Sequence, residues 1–285
     1  MKLFRYVQQG QARVGVMPSG TSHQFVDLAM LDATASPEIS ALFDPVVRER
    51  VAHKLSQTPA DTFQSLAHVQ FEVPIAQPPK IVCMGLNYAD HAKEGGNARP
   101  EYPSFFMRVA TSMTPHNGPI VRPKVSTKLD YEAELAVIIG QKARHLHADN
   151  ALDCVFGYAC FNDGSLRDYQ RKSAQWTIGK NFDATGGFGP WIVTPDELPV
   201  GAEGLRIQSR LNGQPKPNRK RQMSLIPKRG TVYVVDDDEA VRDSLQWLLE
   251  GKDYRVRCFE SAEAFLSRYD AREVACLIAD IRMGG

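Results

Sequence analysis

At Gln214 the chain changes character, and that change constrains the fold more than any other feature. Residues 214–230 carry six Lys/Arg and no acid. Two prolines within 214–222, Pro215 and Pro217, and the lack of apolar periodicity make this segment a basic linker rather than a packed element. Behind it, residues 231–285 carry seven Lys/Arg against twelve Asp/Glu, a net of −5, while residues 1–213 carry 21 of each. A neutral body, a basic seam and an acidic tail describe separate units joined end to end. The 285 residues leave room for about two units at ~150 residues each.

Residues 1–30 alternate apolar and polar positions around the turn-rich Gly10-Gln11 and Pro18-Ser19-Gly20, which predicts short strands and hairpins. Leu42, Val46, Val47, Val51 and Leu55 recur at helical spacing, so 37–56 is expected to be mostly helix, split at Pro45. The proline-rich stretch 74–79 marks a boundary after a small β-rich region, 1–73. Residues 80–84 read as a buried strand, 87–94 as helical turns, and 99–128 as a long loop with short strands. Glu132 to Gly140 is expected to be a strand with Leu135, Val137 and Ile139 on one face.

From Thr231 onward a strand at 232–235, an amphipathic helix at 239–250, a strand at 254–259, a helix at 261–269 and a strand at 275–279 follow one another. That alternation predicts a parallel, doubly wound α/β sheet.

No apolar run approaches the ~20 residues that span a bilayer. The start, Met1-Lys2-Leu3-Phe4-Arg5-Tyr6, does not read as a secretory signal. Five scattered cysteines, Cys83, Cys154, Cys160, Cys258 and Cys276, show no metal spacing and read as reduced thiols of a cytoplasmic protein. No membrane or nucleic-acid partner is expected.

The chemistry concentrates in four stretches. In Glu132-Ala133-Glu134 on a strand, side chains two apart point to one face. Two desolvated like charges then call for a cation, and oxygen ligands select a hard ion such as Mg²⁺, Mn²⁺ or Ca²⁺. The alternative is a solvated strand face. Asp163 opens a loop after an apolar strand and is the candidate third ligand. On a helix His91 and Glu94 share a face, so Glu94 can orient the imidazole as a base; an exposed helix pair is the plainer reading. Arg167, Gln170 and Lys180 offer donors for a carboxylate or a developing oxyanion, or are ordinary surface polarity.

The stretches Gly85-Leu-Asn-Tyr-Ala-Asp-His-Ala-Lys-Glu94, Asp130-Tyr-Glu-Ala-Glu-Leu-Ala-Val137, Phe161-Asn-Asp-Gly-Ser-Leu-Arg-Asp-Tyr-Gln170 and Trp176-Thr-Ile-Gly-Lys180 occur in order. Through them, residues 80–213 resemble the catalytic domain of the fumarylacetoacetate hydrolase family, and residues 1–73 are similar to the β-rich region many members carry. The resemblance implies that Glu132, Glu134 and Asp163 bind a divalent metal and that His91 with Glu94 activates water or moves a proton. Lys180 would stabilise enolate charge, with Arg167 and Gln170 as neighbouring donors. It implies a hydrolase cleaving a C–C bond in a β-diketo acid such as an acylpyruvate or fumarylpyruvate. Isomerisation or decarboxylation of a related keto acid at the same site is an alternative. A homodimer is a further implication.

Residues 231–285 resemble the first half of a response-regulator receiver, through Val234-Val-Asp-Asp-Asp-Glu-Ala-Val-Arg242 and Cys276-Leu-Ile-Ala-Asp-Ile-Arg-Met283. Asp236 and Asp237 match its Mg²⁺-binding acidic pair and Asp280 its phosphoacceptor, which implies a histidine kinase as partner. The fold expected is α+β: an incomplete β-rich hydrolase-type fold over 80–213, then a partial doubly wound receiver over 231–285. The family's later helix, strands and Gly-Thr-Pro-rich loop have no counterpart in 215–285. Exposed sheet edges and reduced turnover follow from that expectation. A phosphorelay or interaction protein, or a non-functional fusion, stands as the remaining reading.

Overall fold

The computed structural model describes residues 1–21, 23–85, 87, 102–215, 231–250, 254–269 and 275–279. The chain divides into two compact units, Met1–Leu225 and Ile226–Gly285, and each is described by itself. No described helix is long and apolar enough to cross a membrane.

The first unit is built on a mostly antiparallel sheet. Its first strands are β1 (Lys2–Gln8), β2 (Gln11–Met17), β3 (Gln24–Asp27), β4 (Gln64–Ser65) and β5 (Gln70–Glu72). Gln9 and Gly10 join β1 to β2 with φ of 52° and 77°; two successive positive φ angles are what a two-residue hairpin turn of matching twist requires. Gly15 on β2 lies beneath the Phe4 ring, and an added Cβ would stand 2.3 Å from it. Phe4, Tyr6 and Phe25 pack here, the Phe4 and Phe25 rings edge to face at 5.0 Å.

A second set follows: β6 (Ile81–Gly85), β7 (Ser104–Arg108), β8 (Met113–Pro115), β9 (Leu129–Asp130), β10 (Ala133–Ile139), β11 (Val155–Asn162), β12 (Ser165–Leu166), β13 (Gly186–Phe188) and β14 (Ile192–Val193). The large sheet runs β4-β3-β2-β1-β14-β11-β13-β8, with β10 paired to β11 and β5 to β1. Pairs β6–β7 and β9–β12 stand apart from it. Its main core gathers Leu3, Val16, Val26, Ile138, Phe156 and Ile192.

Three details differ from the sequence reading. The helix Pro45–Ser56 begins at the proline: Asp44 caps it, accepting from Val46 N at 2.9 Å, while 39–43 forms a separate 3-10 turn. A proline at the first helical position loses no hydrogen bond, so it starts the helix. On β10 the core-facing residue is Ile138, 7% exposed, whereas Ile139 is 52% exposed. The stripe therefore falls on the even positions, and the register shifts between Ile138 and Ile139. Gln214–Pro215 (β16), assigned to the linker, pairs with Arg210–Leu211 (β15) as a short hairpin.

The second unit has β17 (Thr231–Val235), β18 (Arg255–Phe259) and β19 (Ala275–Ala279), all parallel in the order β18-β17-β19. Helices Glu239–Glu250 and Ala262–Leu266 connect them. Tyr233, Val235, Phe259 and Phe265 form its core.

Candidate active site

Four backbone devices bring the site together. Asp163 N donates to Glu132 O at 2.9 Å and Asn162 Oδ1 accepts from Glu132 N at 3.0 Å, which fastens the start of β10 to the end of β11. The β9–β12 pairing sets Ser165 opposite Asp130 and so delivers Arg167 beside Asp130. Gly164 passes so close to Thr185 that a Cβ would stand 2.0 Å from the Thr185 carbonyl oxygen. Gly179 lies against the backbone of Gln170, where a Cβ would be 2.5 Å from the Gln170 nitrogen. That contact holds the helical turn Thr177–Lys180 against the turn Arg167–Gln170.

The side chains form a chain of alternating charge. Lys180 Nζ donates to Asp163 Oδ2 at 2.6 Å and to Glu132 Oε2 at 2.7 Å. Arg167 reaches the other Glu132 oxygen at 2.6 Å and Asp130 Oδ2 at 2.8 Å, and donates to Gln170 Oε1 at 2.9 Å. Arg108 binds the other Asp163 oxygen. The order is Arg108, Asp163, Lys180, Glu132, Arg167, Asp130. It runs from a fully buried guanidinium to a carboxylate that is 47% exposed.

Burial raises the Glu132 carboxyl pKa, but Lys180 and Arg167 outweigh that and bring it to about 2. Burial works against the Arg167 charge, and Glu132 and Asp130 again prevail, raising its pKa. Cys83, on β6, responds differently. Burial pushes its thiol up to about 12, with Asp163 and Glu134 adding and Arg108 and Lys180 opposing. The thiolate is the nucleophilic and ligating form, so Cys83 stays an unreactive neutral thiol. Lys180 Nζ also lies 5.0 Å from the centre of the Phe106 ring.

The structure brings Glu132, Asp163, Lys180, Arg167 and Gln170 together, as the sequence motifs suggested. Glu134 is on β10, near enough to Cys83 to help raise its thiol pKa alongside Asp163. Glu132 lies one residue before β10 (Ala133–Ile139), its N–H donating to Asn162 Oδ1 and its carbonyl accepting from Asp163 N, which continues the pairing with β11. Among the described residues no group of three or more His, Cys, Asp or Glu is close enough to hold a metal. The two buried carboxylates instead take Lys180 and the arginines as neutralising partners. Two carboxylate oxygens converging on one positive centre are still the donor chemistry a hard divalent ion takes. His91 and Glu94 lie outside the described residues. Arg108, Ser112 and Thr185 were missed by motif reading; no local pattern marks an arginine whose partners lie 55 and 77 residues away.

In the second unit, Asp236 and Asp237 follow β17 at its C-terminal end, where a doubly wound sheet carries its ligands. Asp236 Oδ1 accepts from Asp238 N at 2.9 Å, and Asp238 caps the following helix through Ala240 N at 2.8 Å. Asp280 lies outside the described residues.

A β-rich sheet in which two buried carboxylates meet on one lysine defines a β-rich α+β protein with a buried polar site. Residues 80–226 match the family model for the fumarylacetoacetate (FAA) hydrolase C-terminal domain, and 232–285 match that for the response regulator receiver domain. An uncharacterised Archaeoglobus fulgidus protein is 42% identical over 149 residues, 52% of this chain and 58% of that protein. Human mitochondrial oxaloacetate tautomerase FAHD2A is 37% identical over 217 residues, 75% of this chain and 68% of that protein. The maleylpyruvate hydrolase from Sphingobium sp. SYK-6, solved with manganese (II) and pyruvate, superposes with a TM-score of 0.62 at 26% identity, covering 80% of each chain. The chain belongs to the fumarylacetoacetate hydrolase family. It spans 58% and 57% of the lengths of two archaeal relatives.

Proposed function

We propose that the first unit is a divalent-metal-dependent enzyme that cleaves a C–C bond in a β-diketo acid such as an acylpyruvate. The observation that carries this reading is the buried meeting of Glu132 and Asp163 on Lys180 Nζ. The manganese (II) and pyruvate held by the Sphingobium maleylpyruvate hydrolase point the same way. Glu132, Glu134 and Asp163 would hold Mg²⁺ or Mn²⁺, which supplies Lewis-acid stabilisation of negative charge on substrate oxygens.

The protein's own groups account for the rest. Lys180 presents an ammonium in a buried setting, where a fixed positive charge acts far more strongly on a developing enolate than it would in water. Arg167 and Gln170 stand beside it to orient a substrate carboxylate. His91, oriented by Glu94, takes the proton from the attacking water; the carbon–carbon bond then breaks, and its electron pair becomes the enolate of the 2-keto acid product.

The test is acylpyruvate turnover with Mn²⁺ or Mg²⁺ and after chelation. Metal-dependent turnover supports the reading; none above background with either ion overturns it. Glu132→Ala is expected to abolish metal binding, and His91→Ala to keep binding and lose turnover. One observation favours a second reading: the 37% identity to a human protein named as an oxaloacetate tautomerase. Keto–enol exchange of oxaloacetate uses the same enolate stabilisation without the attack of water, so His91→Ala and parent assayed on both substrates separate the two.

For the second unit, Asp280 is the proposed phosphoacceptor, Asp236 and Asp237 the Mg²⁺-binding pair, and a histidine kinase the phosphoryl donor. Label transferred from a phosphohistidine donor to the parent and lost in Asp280→Asn supports this; equal labelling of the two overturns it.

A further inference from the structure

Arg108 ends β7 with its side chain fully buried, and every nitrogen of its guanidinium has a partner. Nε donates to Ser112 Oγ at 3.2 Å, Nη2 to Thr185 Oγ1 at 3.1 Å, and Nη1 to Gly164 O at 3.2 Å and to Asp163 Oδ1. The backbone makes room for it. A Cβ on Gly186 would stand 2.6 Å from Nη2. The guanidinium also faces the Phe161 ring at 5.5 Å. A planar fork pinned on three sides cannot rotate, so its Nη1 holds Asp163 Oδ1 in one place.

We infer that Arg108 is a positioning residue for the metal-ligating carboxylate of Asp163. It anchors Oδ1 from behind and leaves Oδ2 pointing into the site, where Lys180 Nζ meets it at 2.6 Å. Ser112 and Thr185 act through Arg108 by fixing the plane of its fork. This rests on the metal-dependent reading above. It goes beyond that reading by assigning the orientation of one ligand to a residue that touches neither metal nor substrate. Such outer partners typically change metal affinity by about 10–100-fold when altered. A lysine at 108 keeps the charge but offers a single nitrogen, which cannot reach Ser112, Thr185, Gly164 and Asp163 at once.

The experiment titrates the full chain with Mn²⁺ alone, with Asp236→Asn and Asp237→Asn in every sample so that the second unit's proposed pair takes no ion, following the free-ion EPR signal, alongside thermal melts. Arg108→Lys is expected to bind Mn²⁺ about 10–100-fold more weakly than the parent at temperatures where both are folded. Thr185→Val removes one anchor of the fork without touching a charge, and is expected near the lower end, about 10-fold. Arg13→Ala, in the separate Tyr6–Asp27 cluster, is expected to bind as the parent does. A purely structural role for Arg108 would lower the melting temperature and leave the affinity alone. If Arg108→Lys and Thr185→Val both bind as tightly as the parent, the inference is overturned while the metal reading stands. If Arg108→Lys does not fold, Thr185→Val decides alone: weaker binding supports the inference and parental affinity overturns it. If the parent binds no Mn²⁺, the metal reading falls and takes the inference with it.

Discussion

Two of the first unit's buried polar clusters solve the same problem in different ways. Around Asp27, Tyr6 donates its hydroxyl at 2.6 Å, Arg13 its guanidinium at 2.9 Å, and Ala29 its backbone N–H at 2.8 Å. One charge is met by one counter-charge and two neutral donors, and the carboxylate doubles as a helix cap. Around Lys180, two carboxylates and two arginines alternate, with few neutral groups between them. Burying a single pair with extra hydrogen bonds is a modest demand. Burying a row of ions is expensive, and hydrophobic residues often do as well for stability alone. The first cluster is what a buried strand end and helix cap need; the second is more than stability asks for, which fits the proposed site.

Predictions can break that contrast, beginning with the largest effect. Lys180→Met leaves Glu132 and Asp163 without their shared cation and is expected to cost about 3–5 kcal/mol, read from denaturant unfolding of the first unit. A loss below about 1 kcal/mol would mean that the two arginines suffice and that the row is less coupled than its geometry implies. Asp27→Ala strands Tyr6 and Arg13 and removes a cap, for about 2–4 kcal/mol. Tyr6→Phe should cost about 1 kcal/mol at neutral pH. Burial and then the Asp27 carboxylate hold the Tyr6 hydroxyl well above its ordinary value of 10.0. A raised folded-state pKa gives stability that is intact below the unfolded value and lost as pH rises beyond it. The gap between parent and Tyr6→Phe should therefore narrow above about pH 10, and unfolding midpoints at pH 8 and pH 11 check this. Arg13→Ala, whose side chain is 40% exposed, should cost under about 1 kcal/mol.

Legibility in the sequence follows the distance over which each feature is encoded. The second unit's strand at 275–279 and helix at 239–250 came out with the expected limits, because a short apolar run and an amphipathic repeat are local signals. The proline at 45 was visible, but its role depended on Asp44 beside it acting as a cap. The buried face of β10 came out one residue off, since only tertiary packing decides whether Ile138 or Ile139 meets the core. Lys180, Glu132 and Asp163 were legible through motifs that chemistry keeps together. Their order in a row of charges was not, because Glu132 and Lys180 are 48 residues apart, and no periodicity spans that separation.

The pairing of Lys2 with Val193 and Leu3 with Ile192 sets a timetable for synthesis. A ribosome adds about 5–20 residues each second, so β1 waits roughly 10–40 seconds for β14 to be made. Through that interval the Lys2–Leu3 end of β1 stays unpaired on that side, β5 covering only Arg5–Val7, and an unpaired edge is a template for wrong partners. The second unit has no such delay: the strands pairing Thr231 with Arg255 and Ala275 appear within a few seconds of one another. Two stretches of one polypeptide thus close on different clocks, the earlier-made one the slower.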